Sequence, residues 1–94
     1  MHVRVITHRV REGNLDRVIT QSIAPASRRQ PGYVGFVLMS DRKAGTVVST
    51  SYWNTEADML ASENAEYLQD QNSRLITLLS GPPVIEPYGV YLMS

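Results

Sequence analysis

There is no cysteine in this chain of 94 residues, which removes disulfide staples, thiolate nucleophiles and zinc-finger spacings together. An excess of either charge is missing too, because nine Lys and Arg balance nine Asp and Glu. The electrostatic footprint of a nucleic-acid or acidic-membrane binder is therefore absent. Arg28-Arg29 and Arg42-Lys43 are short basic pairs, not a stripe. No run approaches 18 uninterrupted apolar residues, and MHVRVITHRV at the N-terminus carries charges where a signal peptide would be purely hydrophobic. A cytoplasmic address is the default expectation. Dinucleotide, P-loop, zinc and Ser-elbow motifs are missing as well. GYVG does contain Gly-x-x-Gly, but it follows a turn into a strand, whereas a KH loop lies between helices.

What is present is 43% hydrophobic and 19% charged, the composition of a soluble globular chain. The length allows a single core and a single domain, residues 1–94. A domain this small buries only roughly 60 to 65% of its unfolded surface, so oligomerisation is a common supplement.

The hydrophobic period changes in a clear order. HVRVITHRV, residues 2 to 10, alternates as a strand with Val3, Val5 and Thr7 on one face and His2, Arg4, Ile6, His8 and Val10 on the other. Leu15, Val18, Ile19, Ile23 and Ala26 then follow helical spacing, which predicts a helix from about 14 to 30 with Asn14 as its N-cap. Pro25 falls inside it and predicts a kink or a break. Pro31-Gly32 makes a turn into a strand over 33 to 40, and the loop DRKAG joins that to a strand over 46 to 53, forming a hairpin. Thr55 with Asp58 three residues on resembles a capping box and opens a short helix. Near Ser62 to Asn64 this hands over to a longer helix, which Gly81-Pro82-Pro83 stops, and EPYGVYLMS supplies the last strand. The order β-α-β-β-α-β is the ferredoxin-like split arrangement, an antiparallel four-stranded sheet with helices on one face. Tyr33, Val37, Met39, Val48, Tyr52, Val90 and Leu92 spread apolar side chains over both faces of the strands, more than one helix layer covers. Homodimerisation through the sheet face would cover the rest.

The stretch QPGYVGFVLMSDRKAGTVVSTSYWNTEADMLAS resembles the antibiotic biosynthesis monooxygenase group of the dimeric α/β-barrel superfamily. The shared features are Pro-Gly-aromatic before a strand, a hairpin, and Trp-x-Thr/Ser-x-x-Ala opening the next helix. The resemblance implies a homodimer whose two sheets form one barrel, with a ligand pocket in each subunit between sheet and helices. It says little of chemistry, since members range from cofactor-free monooxygenases of aromatic polyketides to haem-degrading enzymes and lactone isomerases. Counted from Gly13 and Trp53, the Asn, Trp and His of the haem degraders would fall at Ile6, Ser62 and Asn72. None matches, so the resemblance does not carry haem cleavage.

Within that frame His8 shares the strand face of Ile6, which the resemblance turns toward the helices, where an imidazole could serve as a base. Trp53, the only tryptophan, closes the seam between sheet and helix or walls a pocket against a flat aromatic ligand. Tyr33, Tyr52 and Tyr67 could each donate a phenolic hydrogen bond to such a ligand. With no metal ligands and no nucleotide loop, the expected cofactor is none. An oxygenase of this kind would let an electron-rich phenol or anthrone, deprotonated in a low-dielectric pocket, activate dioxygen itself. His8 would be the base, and Asn72 or a tyrosine the oxygen partner. The other reading is a non-catalytic dimer that binds a small apolar molecule or serves only to associate.

Asn72 is where the readings part. At about 100° per residue, Ala61, Ala65, Leu68, Leu75, Ile76 and Leu79 lie within about 60° of it on the helix wheel, so a polar amide sits at the centre of the apolar stripe. Its partner is either backbone or a ligand and pocket water. Asn72→Leu distinguishes them, because leaving a buried polar group unpaired costs about 1 to 3 kcal/mol. For a pocket amide the melting temperature is expected to hold or rise while a polar ligand binds more weakly. A fall of several degrees with unchanged affinity would make Asn72 structural.

Overall fold

The computed structural model describes residues 1–22, 26–63 and 66–94, and within them the side chains of all but 26, 27, 66–69 and 72. In chain order come β1 (His2–Arg9), α1 (Leu15–Ser22), a 3-10 turn (Ala26–Arg29), β2 (Tyr33–Asp41), β3 (Thr46–Trp53), α2 (Glu56–Glu63), α3 (Glu66–Leu75), a second 3-10 turn (Ile76–Leu78) and β4 (Val84–Gly89). The strands form one sheet in the order β2-β3-β1-β4, every pair antiparallel. This is the expected ferredoxin-like topology. Among the described residues no helix is long and apolar enough to cross a membrane.

Local chemistry explains the boundaries. Asn14 does occupy the cap position of α1, since its carbonyl accepts from Val18 N at 3.1 Å. Its side-chain amide instead donates to Glu12 O at 3.4 Å. Of the helix expected from about 14 to 30, Leu15–Ser22 is α-helix and Ala26–Arg29 is a 3-10 turn; Pro25, with Ile23 and Ala24, lies outside the described residues. Ahead of β2, Tyr33 N returns to Gln30 O at 3.3 Å with Gly32 at φ +80°, the type II turn that Pro-Gly favours. A side chain at 32 would also run into Asp58. In the β2–β3 hairpin the Asp41 carboxylate accepts from the amides of Lys43 and Ala44, and Gly45 closes the loop at φ +70°. Thr55 Oγ1 accepts from Asp58 N at 3.1 Å and caps α2.

The last strand differs from expectation. It spans 84 to 89, not 86 to 94, because a strand needs a ladder. β1 pairs from Thr7 opposite Val84 to His2 opposite Gly89, and one further bond joins Val90 N to Met1 O. Beyond it Tyr91 and Leu92 are 99% and 86% exposed. Pro87 is tolerated because β4 has a strand on one side only.

Strand alternation sorts the sheet into two faces. Arg4, Ile6 and His8 of β1 and Val47, Ser51 and Trp53 of β3 are buried on the helix-covered face. There Val18, Val47, Leu75, Leu78 and Leu79 form the core cluster. The other face carries Val5, Val37, Met39, Val48, Tyr52, Val84 and Tyr88. Met39 and Tyr88 are 49% and 50% exposed there, so an apolar sheet surface is left uncovered in the single chain.

Candidate functional site

Between sheet and helices, the end of the layer near Trp53 is closed by a buried polar knot. Arg4 is 2% exposed. Its Nη1 donates to Ser62 Oγ at 2.7 Å and to Met59 O at 3.4 Å, both on α2, and its guanidinium lies 5.3 Å from the centre of the Trp53 ring. Trp53 Nε1 donates to Ser51 Oγ at 2.9 Å. Tyr33 meets the indole edge-on at 5.9 Å, and the Ser62 hydroxyl donates to Met59 O at 2.7 Å.

His8 lies toward the other end. It is 4% exposed, and its Nδ1 has no hydrogen-bond partner among the described residues. Burial disfavours the charged imidazolium and pushes its pKa below the ordinary histidine value. The ring is thus held neutral at physiological pH.

The residues expected to form one site are in part separated. His2 is the strand partner of Trp53, and His8 lies six residues further along β1, about 20 Å away at strand rise. A single ring cannot stack on Trp53 and also meet His8. Trp53 has no exposed surface at all, so it is a seam-closing core residue and not a pocket wall. Tyr33 stays with it. Tyr52 faces the opposite side of the sheet, opposite Val3 and Gly35, because adjacent strand residues alternate. The side chains of Tyr67 and Asn72 lie outside the described residues. Among those described, no three His, Cys, Asp or Glu converge to hold a metal ion.

Sequence reasoning passed over Arg4, Ser51 and Ser62. The signal for Arg4 was available, since the alternation that turns Ile6 and His8 inward turns Arg4 inward as well.

A family model for antibiotic biosynthesis monooxygenases matches residues 1–73, the span from β1 into α3. No curated protein matches the chain significantly. Solved structures do. The candidate antibiotic biosynthesis monooxygenase of Nitrosomonas europaea superposes with a TM-score of 0.82 at 15% identity, covering 98% of this chain and 100% of that one. A similar candidate from Deinococcus radiodurans gives 0.80 at 17% identity with both chains fully covered. A conserved protein from Methanosarcina mazei gives 0.76 at 11% identity over 94% and 91%. At such identities the likeness is one of fold.

The unpartnered imidazole makes a prediction about acid. The folded pKa of His8 is depressed, so as pH falls through about 6.5 the unfolded chain takes up a proton that the folded chain resists. Stability is complete above that pH and is lost below it. Urea unfolding between pH 7.5 and 5.5 should show a decline in the wild type that is shallower in His8→Leu. Parallel declines would mean that the imidazole takes up its proton equally well in the fold.

Proposed function

The chain belongs to the antibiotic biosynthesis monooxygenase family, and on that premise we propose a homodimer that oxidises an aromatic, quinol-type molecule between sheet and helices without a cofactor. The observation that carries this reading is His8: a neutral imidazole, 4% exposed, with Nδ1 unpartnered among the described residues. A buried acceptor without a donor costs about 1 to 3 kcal/mol, a deficit that a phenolic O–H or a pocket water relieves. His8 would take the proton of an electron-rich phenol or anthrone. The resulting anion gives one electron to dioxygen, the two radicals join as a hydroperoxide, and loss of water leaves the quinone. For a CH2 group, one molecule of dioxygen becomes one carbonyl oxygen and one water. The protein supplies a base, a shape and a water-poor medium. Asn72 and Tyr67, both on α3, are the proposed oxygen partners.

A second reading is favoured by the same histidine. A general base is ordinarily oriented by a third group, and Nδ1 of His8 has none among the described residues; a dimer that binds an aromatic molecule without turning it over would need no orienting group. Oxygen uptake with a panel of hydroxyanthrones and quinols, beside a binding titration, decides between them. Uptake abolished by His8→Leu with binding retained is expected of the enzyme. Binding without uptake in the wild type would establish the second reading.

The dimer has its own support in the uncovered apolar face, where Val37 and Met39 are 43% and 49% exposed. A pairing of the two sheets buries that face in both copies. Light scattering at micromolar concentration should return the dimer mass for the wild type and the monomer mass for Val37→Asp with Met39→Lys. A monomeric wild type would refute the assembly.

A further inference from the structure

The alternation that sends Val5 and Thr7 to the uncovered face of the sheet sends Arg9 there too. On β4 it sends Val84, Glu86 and Tyr88 to the same side. Arg9 and Glu86 are both exposed, and they bring opposite charges to a face that is otherwise mostly apolar. Neither makes an ion pair among the described residues. Glu86 accepts the Tyr88 hydroxyl at 2.9 Å, which leaves its charge unbalanced. The remaining charged strand residue on this face is Asp41, and its carboxylate is engaged by the Lys43 and Ala44 amides of its own hairpin.

Glu86 lies opposite Val5, four residues along β1 from Arg9, so the backbones of the two are about 14 Å apart at strand rise. Between them lies the row of Met39, Val48, Thr7 and Val84, apolar but for one hydroxyl. A second copy that covers this face takes water from both charges, and a charge buried without its opposite is strongly disfavoured. In a twofold pairing one patch meets itself, so that if residue i touches residue j of the mate, j also touches i. With one unbalanced cation and one unbalanced anion on the patch, crosswise contact gives each charge its opposite. The twofold axis then passes midway between them, near Thr7 and Val84, and the apolar row packs on its own image. We propose that Arg9 of one subunit pairs with Glu86 of the partner subunit, twice in the dimer, and that these pairs set the register in which the two sheets face each other. The proposal rests on the dimer reading above and goes beyond it by naming the contacts through which the face recognises a second copy of itself.

The test is a charge-swap cycle on the full chain, read as the dimer dissociation constant by sedimentation equilibrium for the wild type, Arg9→Glu, Glu86→Arg and the two together. Each single change sets like charges against each other at both contacts and should raise the dissociation constant about tenfold or more. The double change reverses both pairs and should bring it back to within about threefold of the wild type. Glu86→Gln, which keeps an acceptor for the Tyr88 hydroxyl and removes only the charge, should also weaken the dimer. Both positions are exposed in the single chain, so the melting temperatures of the dissociated variants should match one another. A double variant as weak as the singles, or singles and Glu86→Gln as tight as the wild type, would overturn the Arg9–Glu86 pairing while leaving a face-to-face dimer in place. A weakening by Arg9→Glu alone would put Arg9 on a different acid and overturn it equally. A monomeric wild type would overturn the dimer itself, and this proposal with it.

Discussion

A positive charge buried between a sheet and a helix must be solvated by the protein itself, because taking an ammonium or guanidinium out of water costs several kcal/mol even after relaxation. Arg4 is such a charge. Groups from two elements lie around it, Ser62 Oγ and Met59 O from α2 and the ring of Trp53 from β3. Solvating the guanidinium therefore pins α2 to the sheet. The indole and both serine hydroxyls nearby are committed in the same knot.

A second constraint is the period of two along each strand. It gathers Arg4, Ile6 and His8 under the helices, and by the same necessity sends Val3, Val5 and Thr7 to the far face. One helix layer cannot cover both. Pro87 narrows how the uncovered surface can be used. Val90 N turns toward Met1 O, so by alternation the outward position on the β4 edge falls to residue 87, where proline has no N–H to donate. A second copy cannot extend the sheet there through an unbroken ladder. Association by the face is left as the route that buries the most apolar area.

The topology was legible because it depends on signals that local sequence carries: Pro-Gly and Gly45 where positive φ is needed, a Thr cap, alternation in β1 and β3. The end of β4 was not, since Tyr91, Leu92 and Met93 have every propensity of a strand and lack only a neighbour. The site was legible by halves. Alternation put His8 on the correct face but could not report that Trp53 sits about 20 Å from it, because distance along a sheet depends on register. Register pairs Trp53 with His2. Tyr52 was misplaced by treating aromatics as a group when its neighbour Trp53 already fixed it to the opposite face. Arg4 was missed for a different reason: a charged residue near a terminus looks like surface until the serine and carbonyl that solvate it, 55 to 58 residues away, are known.

What the layer offers to chemistry is correspondingly spare. The Arg4 cation is held by Ser62 Oγ and Met59 O and the His8 imidazole is neutral, so of these two buried basic groups on the helix-covered face only the enclosed one is charged. An uncharged site in an apolar setting does not stabilise a highly charged substrate, which would lose its hydration for little return. It suits a neutral ring that becomes an anion only after giving up one proton. Under the proposed reaction His8 would receive that proton and become the counter-ion beside the anion, a pair formed only during reaction. Burial, which lowers the affinity of His8 for a proton in the empty protein, is offset once an anion lies next to it. The same desolvation that depresses the pKa at rest would thus strengthen the attraction in the proposed reacting pair.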